Sequence, residues 1–295
     1  FMPEVRCKTN MRPFFMFMER LNERANGELV IDYLGGSEII PMGEQPTAVR
    51  KGVVDITMIS AHQYADMVTA SNVVQLSRIS PQEERESGFF AYLQDLHMKG
   101  GLFLVGRAAY TQNSSFYIFI NKKVETPYDL AGLKFGPGSI ALNFLPAVGA
   151  VPTRVSLVDF YGAVEQGVLD GFIMTLVGFS RRSWHEVIDY TIDQPIFANN
   201  VVTIMSLDAW NRLPAHLQGL IQEVAISVEQ DYTIDDWKKL EAEEKVRMLE
   251  NGVEFIKFSP ADNEWFVNTA YQIEWEAWIE KYPEVATKMK DLLLQ

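Results

Sequence analysis

Residues 48–59 read AVRKGVVDITMI, and residues 163–174 read AVEQGVLDGFIM, so Ala, Val, Gly, Val and Asp recur in register. In each segment a helical pattern ends at a glycine, which adopts positive φ without strain. A β-branched run with an early aspartate follows. The repeat therefore predicts two related α/β lobes, and a cleft between two such lobes is a common place for a small ligand.

The segments around the repeat alternate between helical and strand patterns. Apolar residues at helical spacing predict a helix over 11–26, stopped by Gly27, and a long helix from Pro214 to about residue 250. Ser259-Pro260 marks the start of the first of two closing helices. Strands are predicted around Val5 and Cys7 and over 28–34, 53–60, 101–106, 115–121 and 253–259. This alternation predicts the α/β class, with a mostly parallel or mixed sheet covered by helices.

Composition and charge exclude several classes of function. The chain has 295 residues and a formal net charge of −13, which disfavours binding to nucleic-acid phosphates or to anionic membrane surfaces. Its longest apolar runs, such as 201–205, are too short to span a bilayer. One cysteine, Cys7, permits neither an intramolecular disulfide nor a cysteine-rich metal site, and this usage fits a cytosolic protein as well as an exported one whose leader was removed.

The stretch KFGPGSIALNF (134–144) fits the dinucleotide-binding pattern G-x-G-x-x-A from Gly136, with Asp159 near the usual place of the ribose-binding acid. Three features oppose this interpretation. Pro137 removes a backbone N–H from the loop that would hold the pyrophosphate, and Pro146 interrupts the following helix. Asp159 also stands three residues after Ser156, the spacing of a helix capping box. We therefore expect neither a nucleotide nor another cofactor to bind at this loop.

The sequence shows no pattern of catalytic chemistry. It has no G-x-S-x-G nucleophile elbow, and its four histidines lack the H-x-x-x-H spacing of a zinc-binding helix, so we expect no enzyme activity and no metal. The acidic run at Glu241, Glu243 and Glu244 is typical of a solvated helix face. Aromatic residues at helical spacing predict core packing for Phe14, Phe15, Phe17, Trp210 and Trp237. Phe116 and Tyr117 lie on a strand that we expect to join the lobes, where a residue faces either the core or the ligand.

An ordered set of segments resembles the periplasmic solute-binding subunits of TRAP (tripartite ATP-independent periplasmic) transporters. The central part consists of ETPYDLAGLKFGPGS, AVGAVPTRVSLVDFYGAVEQGVLDG and HEVIDY, all within residues 125–190. NGELVIDYLGGSEIIP and AVRKGVVDI precede it in family order. LDAWNRLPAHLQGLIQEV and NGVEFIKFSPADNEWF follow it. The resemblance covers nearly the whole chain.

The resemblance implies a two-lobe periplasmic binding protein of type II-like α/β fold, with a ligand cleft between the lobes and a long helix spanning both. Lobe I is expected at 1–122 plus about 206–251 and lobe II at about 123–205 plus 252–295, joined by strands near 115–122 and 200–207. Such a protein closes around a small ligand, usually a carboxylate, and delivers it to membrane permease subunits without being membrane-embedded itself. Export to the periplasm, with the leader removed, and the absence of catalysis and of a cofactor are also implied.

Three positions depart from what the resemblance implies. Members of the family usually carry an arginine that pairs with the ligand carboxylate through two parallel hydrogen bonds, and Gly136 stands at that position. A second cationic position falls near Phe116, and a polar one near Met174. Because a buried carboxylate needs charge-assisted donors, our hypothesis is a ligand with an aromatic or long apolar body. Its carboxylate would meet Arg107, Arg154 or Arg12, each of which is otherwise explained as part of a surface salt bridge.

The ligand-binding positions implied by these considerations are Asn10, Arg12, Ser60, Tyr64, Arg107, Phe116, Gly136, Ser139, Arg154, Leu157, Met174 and Asn199. Two other functions remain open from the sequence. One is a ligand sensor on the same fold, and the other is an NAD-dependent oxidoreductase on a similar two-lobe scaffold.

Overall fold

The computed structural model of the protein describes residues 11–107, 115–136, 141–232 and 234–294. The strand predicted near Val5 and Cys7, and the predicted ligand-binding residues Asn10 and Ser139, lie outside these ranges. No helix in the described ranges combines the length with the apolar composition that a bilayer crossing requires.

Helices and strands alternate along the described chain, as the α/β class requires. The helices are α1 (Arg12–Arg24), α2 (Gln45–Arg50), α3 (Pro81–Glu86), α4 (Phe89–Lys99), α5 (Phe144–Ala147), α6 (Phe160–Glu165), α7 (Leu207–Arg212), α8 (Ala215–Asp231), α9 (Ile234–Glu250), α10 (Pro260–Lys281) and α11 (Pro283–Leu293). The strands are β1 (Ile56–Ser60), β2 (Leu102–Arg107), β3 (Ser115–Ile120), β4 (Lys134–Gly136), β5 (Val151–Pro152), β6 (Gly171–Thr175), β7 (Tyr190–Ile192), β8 (Ile196–Ala198), β9 (Val201–Ser206) and β10 (Glu254–Ile256).

The strands form two sheets. Sheet A, as far as the structure describes it, has three antiparallel strands in the order β1-β9-β2. Ser60 at the end of β1 lies opposite Val201, and Arg107 at the end of β2 lies opposite Val202. The last residues of β1 and β2 and the first residues of β9 therefore meet at one edge of sheet A.

Sheet B is larger and mixed. Its described strands run in the order β10-β7-β3-β6-β4-β5, and β8 pairs with β3 beside this path. β3 is antiparallel to β6, β7 and β8, whereas β4 is parallel to both β5 and β6. Two residues, Asn199 and Asn200, separate β8 in sheet B from β9 in sheet A. One crossing between the sheets is therefore very short.

One apolar core joins the two sheets. Ile59 and Ile204 of sheet A belong to the same buried cluster as Ile118 and Ile173 of sheet B. The opposite face of β3 packs Phe119 into a second cluster. The core positions predicted from aromatic spacing are confirmed, since each is at most 7% exposed: Phe14, Phe15, Phe17, Trp210 and Trp237.

The repeated segments have matching local structures. In the first, α2 is followed by Gly52 with φ +70° and then β1, and in the second α6 is followed by Gly167 with φ +71° and then β6. The carbonyl oxygen of each following aspartate accepts a backbone N–H from the antiparallel neighbour, at 2.8 Å for Asp55 and 3.0 Å for Asp170. The sequence repeat thus corresponds to a repeated helix–glycine–strand unit.

The predicted long helix occurs as two helices, α8 and α9, which are separated at Tyr232. α8 packs against α1 and β2. Salt bridges of 2.7 Å between Arg20 and Asp231 and of 2.6 Å between Arg24 and Glu223 join α8 to α1. α9 lies instead against the turn that follows β6. The two halves of the predicted helix are therefore attached to different sheets.

Three local predictions were wrong. Residues 28–34 form no strand, and among the described residues β1 is paired with β9 rather than with them. The side chains of Ser156 and Asp159 form no capping box, and a 3₁₀ turn begins there instead. The acidic run is not a solvated face, since Glu244 is buried and accepts the backbone N–H groups of Ser180 at 2.7 Å and Gly178 at 3.2 Å.

Candidate ligand-binding site

The short crossing between the sheets is held by a buried asparagine. Asn200 is 1% exposed, and its carbonyl oxygen accepts the backbone N–H of Ala61 at 2.9 Å. Its side-chain oxygen accepts from the Ser60 hydroxyl, and its side-chain nitrogen donates to Asn72. Because these partners come from the end of β1 and the two turns after it, Asn200 fixes the crossing to sheet A.

The hydrogen bonds continue outward from Ser60 to a histidine. The Ser60 hydroxyl lies 2.8 Å from Nδ1 of His62, whose Nε2 lies 2.9 Å from the side-chain nitrogen of Gln63. Since the glutamine nitrogen donates, His62 is assigned as the neutral tautomer that carries its proton on Nδ1 and donates to Ser60. Burial lowers the pKa of His62, which favours this neutral form. Ser60, a predicted ligand-binding residue, therefore already has both hydroxyl partners within the protein.

Arg107, the second predicted residue at this edge, takes part in a buried ion pair. Its guanidinium donates to Glu84 at 2.8 Å, and both side chains are fully buried. Its backbone N–H donates to Glu229 at 2.8 Å, and Glu229 also accepts three hydrogen bonds from Arg85 at 2.9–3.0 Å. Burial raises the pKa of Glu84, and the charge of Arg107 opposes that rise. An incoming carboxylate would have to compete with Glu84 for this guanidinium.

Asn199, another predicted ligand-binding residue, lies between β8 of sheet B and β9 of sheet A. It is 5% exposed, and its carbonyl oxygen lies 3.5 Å from the Arg107 guanidinium. Tyr64, by contrast, packs in the core. Its hydroxyl lies 2.9 Å from Nε2 of His97, and burial raises the pKa of the tyrosine. Burial also lowers the pKa of His97 to about 4, so this buried pair is neutral.

Sheet B contributes apolar residues to the same junction. Phe116 is 8% exposed and lies opposite Thr175 at the end of β6. Tyr117 and Met174 form the next cross-strand pair, on the other face of the sheet, and Met174 is half-buried. The side chains on this part of β3 and β6 thus alternate between the two apolar cores.

Gly136 ends β4, and the space beside it is filled. A Cβ atom added there would come within 2.7 Å of the Phe160 ring and 3.1 Å of Leu169. Such a contact is too short for any side chain without movement of the neighbours. The missing side chain at Gly136 is therefore matched by an aromatic ring that occupies its place.

The remaining predicted residues are exposed. Arg154 and Leu157 lie between β5 and α6, and Arg12 begins α1. Arg154 directly follows Thr153, whose backbone N–H donates to the carbonyl of Phe135 at 2.8 Å. Arg154 thus stands on the chain that pairs with β4, close to Gly136. Arg12 is near enough to Tyr232 for its charge to counteract the rise that burial causes in the tyrosine pKa.

Sequence reasoning missed the residues that organise the junction: His62, Asn72, Glu84, Asn200 and Glu229. The tandem asparagine at 199–200, directly before the strand VVTIM, was the one local signal available. The other side chains come from distant parts of the chain, and no spacing pattern joins them.

The sequence matches a known protein family along most of its length. Residues 9–281 match the family described as "Bacterial extracellular solute-binding protein, family 7". The C4-dicarboxylate-binding periplasmic protein DctP of Vibrio cholerae is 20% identical over 254 residues, which cover 85% of this chain and 76% of that protein. An uncharacterized protein of Haemophilus influenzae is 28% identical over 180 residues, and the matched part spans about half (53%) of that protein's length.

Solved structures share the fold. DctP7 of Bordetella pertussis, an extracytoplasmic solute receptor binding pyroglutamic acid, superimposes with a TM-score of 0.82 at 17% identity, over 99% of this chain and 97% of that one. A TRAP periplasmic solute-binding protein from Desulfovibrio salexigens with bound orotic acid gives a TM-score of 0.81 at 17% identity, over 96% of this chain and 94% of that one. The two-lobe architecture expected from the sequence is thereby confirmed.

Proposed function

The chain belongs to family 7 of the bacterial extracellular solute-binding proteins, and from that membership we propose that it is the receptor of a TRAP-type secondary transporter. It captures a small organic acid outside the cytoplasm and delivers the acid to the membrane permease subunits. The observation that carries this proposal is the match over residues 9–281, which includes both sheets and the junction between them. The matched family and the compared structures are binding receptors, so we propose binding without catalysis.

The chemistry of the relatives' ligands supports a carboxylate. A C4-dicarboxylate and pyroglutamic acid are aliphatic acids, whereas orotic acid carries its carboxylate on a flat ring. We propose a ligand with an aromatic or long apolar body for this chain. Support comes from the apolar Phe116 at the junction and from the Phe160 ring that fills the space beside Gly136, whereas Met174 lies on the other face of sheet B.

We propose Arg154 as the cation that meets the ligand carboxylate. Among the three arginines considered, Arg107 pairs with Glu84 inside the core, and the charge of Arg12 already acts on Tyr232. Arg154 is exposed and follows the residue that pairs with β4, so it stands close to Gly136. An arginine and a carboxylate form two parallel charge-assisted hydrogen bonds, which suits an exposed guanidinium at the rim of a cleft.

A thermal-shift screen tests the ligand class. The panel contains C4-dicarboxylates, pyroglutamate, orotate and arylacetates, each followed by titration calorimetry. A ligand that binds the folded state alone stabilises it by about 2.7 kcal/mol at a hundredfold excess over Kd. We expect the largest shift from an aromatic or apolar-bodied acid. Tight binding of a small dicarboxylate without binding of aromatic acids would show that the apolar-body proposal is wrong.

Substitution of the arginines tests the clamp. We expect Arg154→Met to weaken binding of the best acid by at least tenfold, since hydrogen bonds to charged groups contribute about 1.5–3 kcal/mol each. Arg212→Met is the matched control, because Arg212 is also exposed but is 3.9 Å from Asp55 on sheet A. Equal affinities of both variants and the unmodified protein would refute the role of Arg154. Failure of every acid to bind would instead count against the receptor function itself.

A further inference from the structure

His62 is the outer member of the hydrogen-bond chain that starts at the crossing between the sheets. It lies in a 3₁₀ turn, Ala61–Tyr64, directly after β1, at the edge of sheet A where the crossing enters. Asn200 of the crossing accepts from the Ser60 hydroxyl, which in turn accepts from Nδ1 of His62 at 2.8 Å. The imidazole is therefore one hydrogen bond away from a predicted ligand-binding residue whose hydroxyl already donates and accepts within the protein.

The two ring nitrogens of His62 have different roles. Nδ1 donates to Ser60 whether the ring is neutral or protonated, so this bond fixes the orientation of the imidazole in both forms. Nε2 is an acceptor in the neutral ring and becomes a donor when the ring is protonated. Its partner at 2.9 Å is the side-chain nitrogen of Gln63, which only donates. Protonation therefore breaks the contact at Nε2 and leaves a charged donor there.

Gln63 is a partner that an incoming acid can replace. Its side chain is neutral, half-buried and in weak contact, at 3.7 Å, with the sulfur of Met42. A carboxylate that accepts from a protonated imidazole makes a charge-assisted hydrogen bond, which is about twice as strong as a neutral one. Exchange of Gln63 for a ligand carboxylate at Nε2 of His62 is therefore favourable once the ring carries the additional proton.

The charge of His62 is not fixed by its surroundings. The titratable and charged groups around its turn are either exposed, as are Glu44 and Asp66, or in contact with each other, as are Tyr64 with His97 and Arg107 with Glu84. The 3₁₀ turn Ser71–Leu76, which packs against the turn of His62, has no titratable residue. Burial lowers the pKa of His62, so the ring is neutral near pH 7 without a ligand. A negative charge placed at Nε2 acts in the opposite direction and favours the protonated ring.

Resting on the receptor function proposed above, we propose that His62 contacts the bound acid and takes up one proton when the acid binds. The proton comes from the solvent and is held at Nε2, where the imidazolium donates to the ligand carboxylate. Sheet A then supplies a positive charge to the acid, although Gly136 on sheet B supplies none. Capture of an acid that is ionised at neutral pH is therefore tighter as the pH falls.

Titration calorimetry in two buffers measures this proton directly. Orotate and phenylacetate are added to the unmodified protein at pH 7, once in phosphate and once in Tris. For each acid that binds, the two enthalpies should differ by the difference in buffer ionisation enthalpy times about 0.5–1 proton taken up. The affinity should rise by up to about tenfold per unit as the pH is lowered from 8 to 6.

The outcomes separate this inference from the function on which it rests. Binding of an acid without uptake of a proton would overturn the inference and leave the receptor function intact. Failure of both acids, and of every other acid in the thermal-shift panel, to bind would count against the receptor function and remove the basis of the inference.

A matched pair of histidine variants assigns the proton to a residue. His62→Gln keeps a donor toward Ser60 but cannot become charged, so proton uptake and the pH dependence should be lost and the affinity at pH 6 should fall at least about tenfold. His216→Gln removes an exposed histidine of α8 that lies 2.9 Å from Glu28, and it should bind as the unmodified protein does. Proton uptake that persists in His62→Gln would assign the proton to another group and refute the proposal.

Nitrogen NMR of the imidazole rings tests the proposal without any substitution. In the unmodified protein at pH 7 without ligand, the His62 ring should carry its proton on Nδ1 alone. Saturation with the bound acid should add a proton at Nε2 of the same ring. A ring that carries its proton on Nε2 without ligand, or one that stays neutral when the acid is bound, would overturn the proposal.

Discussion

Replacement of Glu241 by glutamine should stabilise the protein at neutral and alkaline pH but not in acid. Glu241 lies on α9 and is 9% exposed. Burial raises the pKa of its carboxyl group from 4.5 to about 7, although a hydrogen bond from the Trp237 indole N–H at 3.0 Å and the charge of Lys245 oppose the rise. The ionised carboxylate is therefore less stable in the folded protein than in the unfolded chain.

The size of the effect follows from the difference between the two pKa values. A change from 4.5 to about 7, at about 1.4 kcal/mol per tenfold change in the protonation equilibrium, corresponds to about 3 kcal/mol. Below pH 4.5 the carboxyl is protonated in both states and carries no such cost. As pH rises from 4.5 to about 7 the unfolded state releases its proton first, so this part of the folding free energy is lost. Glutamine is neutral throughout and can still accept the indole hydrogen bond.

Urea denaturation at several pH values measures the effect. We expect Glu241→Gln and the unmodified protein to have equal free energies of unfolding near pH 4 and to differ by up to about 3 kcal/mol at pH 8. Glu243→Gln is the control, because Glu243 is an exposed carboxylate on the same helix, and its effect should stay below about 0.5 kcal/mol. A difference between Glu241→Gln and the unmodified protein that does not change with pH would refute the reasoning.

Two further predictions concern packing and charge, and both are measured by urea denaturation at pH 7. Gly136→Ala should destabilise the protein by about 1–3 kcal/mol, because the new Cβ meets a phenyl ring at 2.7 Å. Gly219→Ala, in open space on α8, should stabilise it by about 0.5–1 kcal/mol, and an equal effect of the two would contradict the packing account. Arg107→Leu should lower the free energy of unfolding by about 3–5 kcal/mol, because it leaves the buried Glu84 without its charged partner. Arg24→Leu removes an exposed ion pair and should lower it by less than about 1 kcal/mol. Similar losses in these two variants would show that burial of the ion pair is not what matters.

Elements with local signals were predictable from the sequence. Ser259-Pro260 marks the start of α10, and the Ser259 hydroxyl does accept the backbone N–H of Asp262 at 3.2 Å. Segment 28–34 could not be predicted in this way. It has strand composition, but a strand exists only when a neighbour satisfies its backbone groups, and composition does not identify that neighbour.

The junction could not be predicted in the same way because its contacts are long-range. Glu84 and Arg107 are 23 positions apart, and Ser60 and Asn200 are 140 positions apart. The prediction of a solvated face for the acidic run of α9 was wrong for a different reason. Glu241 and Glu244 are three residues apart and share one helix face, which is buried, whereas Glu243 points elsewhere and is exposed. Residues within a helical charge run point to different faces of the helix, so some of them are buried while others are exposed.

The charge balance of the chain bears on how an acid is recognised. A protein of net charge −13 repels an anion at a distance, but at physiological ionic strength this repulsion is screened beyond about 8 Å. Recognition therefore depends on cations within that distance of the ligand. Arg107 and Arg85 do not supply this charge, because Glu84 and Glu229 neutralise them within the protein. If the exposed Arg154 meets the carboxylate and the apolar body of the ligand is buried at the junction of the two sheets, the protein could hold an acid without a cation at Gly136.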